Sequence, residues 1–156
     1  MSFELSHVSI IQIFFSSMCI VTGPHEQLLE ADALDSGEQK IIVYESLSSC
    51  NHTAVRIGAI LRLAMIHQHG FYDIKQNGEL AVCYWMALSQ QRINRSIMVQ
   101  AYEVLGDSYR DGFGVKSNVN QAKRHFECAR DQCPDTDLDI KVRSIEKLAD
   151  LEKKME

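Results

Sequence analysis

The residues whose spacing best matches a metal site are acidic side chains near the carboxyl end of the chain. Asp135, Asp137 and Asp139 are followed by Glu146 at the twelfth position, which is the ligand spacing of a calcium-binding EF-hand loop. The sixth position of such a loop requires glycine for a sharp turn, whereas this chain has Ile140 there. Carboxylates also suit the first turn of a helix, where they offset its dipole. The pattern therefore favours an acidic helix start, with calcium binding as the weaker alternative.

Histidines, cysteines and glycines provide the other possible chemical motifs. Cys50 and His52 form one pair two residues apart, and His67 and His69 form another. Residues two apart on a helix point in different directions, so these pairs do not converge on one zinc ion. The turn at residues 112–114 follows a helix and lacks the Lys-Ser/Thr of a phosphate-binding loop. We predict no cofactor and no catalytic residue, and keep a metal-binding or hydrolytic enzyme as an alternative.

Charge and length limit the possible partners. The chain has 156 residues, a net charge of −5 and a pI near 5.7, and its Lys and Arg residues are scattered. Phosphate backbones are bound by clustered Lys and Arg, so the composition argues against nucleic acid as a partner. An acidic surface attracts basic partners. We therefore expect a single domain whose partner is another protein, and a basic protein would suit this charge.

The first 24 residues contain an apolar run from Val8 to Val21. The run is too short for an ordinary membrane span, and Glu4 stands where a signal peptide needs positive charge. We predict a packed helix, with a cleaved signal as the weaker interpretation. A homodimer formed through this run is a second functional hypothesis, because an apolar segment needs a surface to cover it.

The cysteines indicate the compartment. There are five, an odd number, and none forms a C-x-x-C pair. Such a set is typical of reduced, buried cysteines in a reducing environment. We therefore expect a cytoplasmic protein, or a periplasmic or secreted one if residues 1–23 are a signal.

Residues 101–129 have the pattern of two helices joined by a glycine turn. Gly112 and Gly114 interrupt the helical periodicity and allow positive φ angles. Asn118 can cap the second helix, and Gln121 stands where a capping box places its partner. The stretch therefore predicts one αα-hairpin.

Small residues on facing sides of this hairpin predict close packing. Gly106 and Ala122 would let the two helices approach each other, while Tyr109 and Phe126 fill the gaps.

The same pattern occurs about 40 residues earlier in the chain. At an offset of 41, the second-helix residues Asn118, Ala122, Phe126 and Ala129 correspond to Asn77, Ala81, Trp85 and Leu88. At an offset of 42, the first-helix residues Leu105, Gly106, Tyr109 and Gly112 correspond to Leu63, Ala64, His67 and Gly70. Self-similarity at this period indicates a helical repeat array.

These residues resemble the Sel-one-like repeat family, a branch of the tetratricopeptide-like α-solenoids. The positions that carry the resemblance are Leu105, Gly106, Tyr109, Gly112, Gly114, Val115, Asn118, Ala122, Phe126 and Ala129. The earlier copy departs from the family pattern at Ala64, His67 and Asp73. The resemblance implies an all-α fold, a short α-solenoid of antiparallel helix pairs with about two full repeats and flanking half-repeats.

We divide the chain accordingly. The predicted segments are residues 1–24 (apolar segment), 25–53 (degenerate half-repeat), 54–93 (first repeat), 94–133 (second repeat) and 134–156 (capping helix). The predicted helices are residues 25–34, 36–49, 54–69, 78–90, 96–110, 119–132 and 137–154. The first should bury Leu28, Leu29 and Leu34, and the last should bury Leu138, Val142, Ile145, Leu148 and Leu151.

The resemblance also implies a function. Members of this family act as adaptors or scaffolds, so we expect a bacterial-type, non-catalytic protein-binding module, such as an adaptor, a chaperone-like protein or an immunity-type binder. Arginine and tyrosine are the residue types that anchor protein interfaces. The candidate partner-facing residues are Arg56, Arg62, Tyr84, Arg92, Tyr102 and His125.

Overall fold

A computed structural model describes residues 23–134 and 137–153, and this part of the chain contains seven α-helices and no β-strand. The helices are α1 (Pro24–Asp32), α2 (Gly37–Ser48), α3 (Thr53–His69), α4 (Gly78–Ser89), α5 (Arg95–Asp111), α6 (Val119–Gln132) and α7 (Leu138–Lys153). The predicted all-α class is confirmed. The predicted apolar segment lies outside the described residues, apart from Gly23 and Pro24.

The contacts between helices divide the chain into two compact units, one up to Gln76 and one from Asn77 onwards. In the first unit, α3 packs against α1 and α2. In the second, α5 packs against α4 and most extensively against α6, and α6 also packs against α7. The predicted repeat boundaries remain predictions.

Asparagine side chains cap three of the helices. The side-chain oxygens of Asn77, Asn94 and Asn118 each accept a hydrogen bond at 3.1 Å from the backbone N–H three residues further on. The predicted cap at Asn118 is therefore confirmed. The reciprocal half of a capping box is absent, because the N–H of Asn118 donates to the carbonyl of Tyr109 at 2.8 Å.

Glycines end α3 and α5 in the left-handed conformation. Gly70 and Gly112 have φ angles of 73° and 77°, which glycine adopts without steric cost. The next turn differs between the two units. Gly114 has a φ of 70° in the second unit, while Tyr72 and Asp73 have positive φ in the first. A side chain in this conformation costs roughly 1–2 kcal/mol, so the first unit, with Tyr72 in this conformation, has the more strained turn.

Each unit contains a close contact between a turn and the first residue of a helix, which we call the glycine junction. In the first unit, a Cβ atom added to Gly37 would lie 2.3 Å from the carbonyl oxygen of Tyr72. In the second, a Cβ atom added to Gly114 would lie 2.0 Å from the carbonyl oxygen of Gly78. The turn that follows one helix is thus held against the first residue of an earlier helix, Gly37 in α2 and Gly78 in α4, and neither glycine has room for a Cβ atom.

The core of the second unit contains the predicted close helix packing. A Cβ atom on Gly106 would lie 2.4 Å from the Phe126 ring, which is fully buried. Phe126 packs with Ala122, Leu148 and Leu151, and a second cluster joins Met98, Val99, Ala129 and Cys133. The repeat-defining residues Leu63, Ala64, Ala81, Trp85, Leu105, Gly106, Ala122, Phe126 and Ala129 are buried.

The buried face of α7 differs from the predicted one. Leu148 and Leu151 are buried as expected, but Leu138, Val142 and Ile145 are 63%, 51% and 48% exposed. The prediction for these three residues was wrong. The helix instead turns Ser144, which is fully buried, towards the unit.

Polar contacts explain this orientation of α7. The buried carboxylate of Glu103 accepts hydrogen bonds from the Ser144 hydroxyl at 3.4 Å and from Arg143 at 3.3 Å. Lys147 donates to Asp107 at 2.7 Å. A carboxylate taken out of water requires such partners. The helix therefore turns Arg143 and Ser144 towards Glu103. Its apolar residues Leu138, Val142 and Ile145 stay exposed as a result.

Two smaller expectations are also corrected. Leu29 is 63% exposed, because α1 buries Leu28 and Ala31 instead. The described cysteines all carry free thiols, but only Cys133 is buried, whereas Cys83 and Cys128 are exposed. Within residues 23–134 and 137–153, no helix is long and apolar enough to cross a membrane.

Candidate functional site

The structure separates the six predicted partner-facing residues. Arg56 and Arg62 lie in the first unit, and Tyr84, Arg92, Tyr102 and His125 lie in the second. Arg56 donates to the carbonyl of Cys50 at 3.4 Å, beside the start of its own helix.

Arg62 takes part in a clamp around the end of α1. Its guanidinium forms a bidentate pair with Asp32, at 2.6 Å and 2.5 Å. Tyr44 also donates to this carboxylate, and Lys40 donates to the Asp32 carbonyl. Burial acts to raise the pKa of Asp32, but the hydrogen bonds from Arg62 and Tyr44 hold it below its ordinary value. These contacts tie α1 to α2 and α3, so the Arg62 guanidinium is already engaged within the protein.

The second unit contains an open recess of about 670 Å³, which we call the arginine pocket. It lies where the end of α4, the start of α5 and the end of α6 meet. Its lining residues are Ser89, Gln90, Arg92, Arg95, Met98, Tyr102 and Gln132. A volume of this order is typical of ligand-binding clefts.

Both arginines of this pocket are exposed. Within the described part of the chain, neither Arg92 nor Arg95 has a carboxylate at ion-pairing distance. Other arginines of the same unit do: Arg110 pairs with Asp111 at 2.7 Å, and Arg130 pairs with Asp131 at 2.7 Å. A guanidinium presents a planar fork of donors that fits an oxyanion. The pocket thus offers two such forks to a ligand.

Aromatic rings continue from the pocket along α5 and α6. The Tyr102 ring lines the pocket, and its centroid lies 6.1 Å from that of His125. His125 is stacked on Tyr109 at 5.3 Å with an interplanar angle of 10°. Three of the predicted residues, Arg92, Tyr102 and His125, are therefore brought to one region of the second unit.

Sequence reasoning missed five pocket residues, Ser89, Gln90, Arg95, Met98 and Gln132. Arg95 and Met98 share a helical face with Tyr102, at spacings of three and seven residues from Arg95, and this spacing was a usable signal. Gln132 reaches the pocket from a different helix, a placement that no local pattern carries.

Two of the acidic residues that match the calcium-loop spacing lie in a helix and not in a loop. Asp139 and Glu146 lie within α7, which begins at Leu138. The Asp137 carboxylate accepts a hydrogen bond from the Ser96 hydroxyl at 3.2 Å, and Asp135 lies outside the described residues. No group of three His, Cys, Asp or Glu side chains in the described ranges could hold a metal ion.

One buried and one half-buried histidine, His67 and His125, make stability depend on pH. Burial lowers the pKa of His125 below 6.5, and it lowers that of His67 against the opposing effect of Glu45. The unfolded chain then binds protons more readily than the folded one, so stability is complete above about pH 7 and falls as the pH decreases from there.

We expect the free energy of unfolding, measured with urea at pH 7.5 and pH 5.5, to be smaller at pH 5.5. The slope is at most about 1.4 kcal/mol per pH unit for each histidine. His125→Phe keeps an aromatic ring against Tyr109 and should reduce the slope. An identical slope in this variant would contradict the assignment to His125.

Comparison of the chain with protein-family models, with curated proteins and with solved structures finds no match.

Proposed function

We propose that this chain is a non-catalytic protein-binding module built on a short solenoid of antiparallel helix pairs. The observation that carries the proposal is the arginine pocket, where Arg92, Arg95 and Tyr102 line one open recess. Arginine and tyrosine dominate the anchor residues of protein interfaces. These side chains are available to a partner because the described residues give the two guanidiniums no internal carboxylate.

The repeat architecture is supported by contacts that recur in both units. The glycine junction joins Gly37 to Tyr72 in one unit and Gly78 to Gly114 in the other. These positions are related by the same offsets of 41 and 42 residues that relate the helix patterns. Repeats of this kind present an extended surface to which a partner binds.

The proposal is tested by recovering the tagged full-length protein from its own cells and quantifying the proteins that co-purify. We expect one stoichiometric partner, which is lost from the double variant Arg92→Ala/Arg95→Ala. Arg124→Ala serves as the matched control, because Arg124 is exposed on α6 and does not line the pocket. A partner that stays bound to the double variant, or the absence of any stoichiometric protein, would refute this function for the pocket.

A further inference from the structure

The chemistry of the arginine pocket narrows the class of partner, on the premise that the chain binds proteins as proposed above. Arg92 lies in the turn after α4, and Arg95 is the first residue of the 17-residue helix α5. The backbone N–H groups at the start of such a helix add positive potential to that of the two guanidiniums. The amides of Gln90 and Gln132, which also line the pocket, add further donors. All of these groups favour a negatively charged ligand.

The inner wall of the same pocket is less polar. Met98 is buried to 8% exposure, and the half-buried Tyr102 ring packs against the core cluster that contains Met98. A thioether adapts its shape to neighbouring groups, and a tyrosine ring provides flat apolar area. An aliphatic side chain therefore fits beside the charged groups of the ligand.

We propose that the arginine pocket binds a short acidic segment of a partner protein, with carboxylates on Arg92 and Arg95 and an adjacent aliphatic side chain against Met98 and Tyr102. Carboxylate and guanidinium form charge-assisted, bidentate hydrogen bonds. The recess of about 670 Å³ holds a few residues of a peptide. The ligand is therefore a segment and not a folded surface.

This inference differs from what the overall charge suggests. The net charge of −5 favours a basic partner at long range. Long-range attraction controls the rate of encounter, whereas close contacts control how long the complex lasts. An acidic segment seated on two arginines is held by the close contacts, so its binding weakens as added salt screens them.

The probe is a fluorescein-labelled, amidated hexapeptide Glu-Leu-Glu-Glu-Leu-Glu, and its binding to the full chain is measured by fluorescence anisotropy in 50 mM salt. We expect saturable binding, at least tenfold weaker binding of the peptide in which Gln replaces every Glu, and a loss of at least tenfold in Arg92→Ala/Arg95→Ala. Arg124→Ala should bind within twofold of the unaltered protein. Circular dichroism melting confirms that each variant is folded.

Two outcomes overturn the inference. Equal affinity for the Glu and Gln peptides would show that the carboxylates do not contribute to binding. Displacement of the peptide by inorganic phosphate at the same concentration as by unlabelled peptide would make the pocket a phosphate site. If a native partner depends on Arg92 and Arg95 while the Glu peptide fails to bind, the acidic-segment proposal fails and protein binding stands.

Discussion

Gly114→Ala is expected to lower the free energy of unfolding of the unit from Asn77 onwards by about 2–5 kcal/mol. Two effects add. The φ angle of 70° is costly for any residue with a side chain. In addition, the new methyl group would lie 2.0 Å from the Gly78 carbonyl oxygen and 2.7 Å from the Glu79 nitrogen. Both are backbone atoms, so the clash cannot be relieved by rotating a side chain.

Gly112→Ala is the matched control for this substitution. Gly112 has a similar φ angle of 77°, but the atom nearest to its added Cβ lies at 3.5 Å, an ordinary contact distance. The free energy of unfolding of Gly112→Ala should therefore fall only by the cost of the unfavourable φ angle, about 1–2 kcal/mol. Urea unfolding followed by circular dichroism measures both variants. Equal losses would mean that the glycine junction does not stabilise the fold.

Phe126→Ala is expected to destabilise the same unit by about 3–5 kcal/mol, as is typical for removing a large buried ring. The ring is fully buried, faces Gly106 and packs with Leu148 and Leu151. Because Gly106 has no side chain, the residue of α5 that faces the ring cannot fill the space. The cavity would therefore remain largely open and add its own cost.

The control is Phe71→Ala, the same substitution at a side chain that is 45% exposed. Its loss should be about 1 kcal/mol or less. Phe126→Leu should recover much of the stability, because it restores most of the apolar volume. The packing account would be wrong if urea midpoints showed that Phe126→Ala and Phe71→Ala lose equal stability.

Local patterns in the sequence were sufficient for most of the fold. The helices were predicted within about two residues at each end, because asparagine caps and left-handed glycines mark the ends directly. The contact between Gly106 and Phe126 was also predictable, since a small residue facing a large one is a helix-packing signal. These features depend on residues close together in the sequence or on one repeat offset.

The errors arose where distant residues decide the outcome. The orientation of α7 depends on Glu103, which lies 41 residues before Ser144. The apolar residues Leu138, Val142 and Ile145 have the correct helical spacing. Spacing alone does not determine which face of the helix packs against a buried carboxylate. Hydrophobic periodicity therefore identified the helix but not which of its faces is buried.

The candidate site, like the fold, was only partly predictable from the sequence. Arg92, Tyr102 and His125 were identified by residue type, but type alone also selected Arg62, whose guanidinium is paired with Asp32. Whether an arginine is engaged within the protein depends on a carboxylate elsewhere in the fold. Tertiary contacts are therefore needed to separate a structural arginine from one that is available to a partner.

The glycine junction also bears on how much the sequence of each unit can change. Its contact is made by main-chain atoms, Gly114 against the carbonyl of Gly78. Because main-chain atoms make the contact, the junction restricts two positions in the second unit, Gly78 and Gly114, and leaves the identities of their neighbours open. In the first unit, the carbonyl belongs instead to the turn residue Tyr72 and meets Gly37, so only the helix residue is a glycine there. Helices joined in this way can change their surface residues while keeping their arrangement.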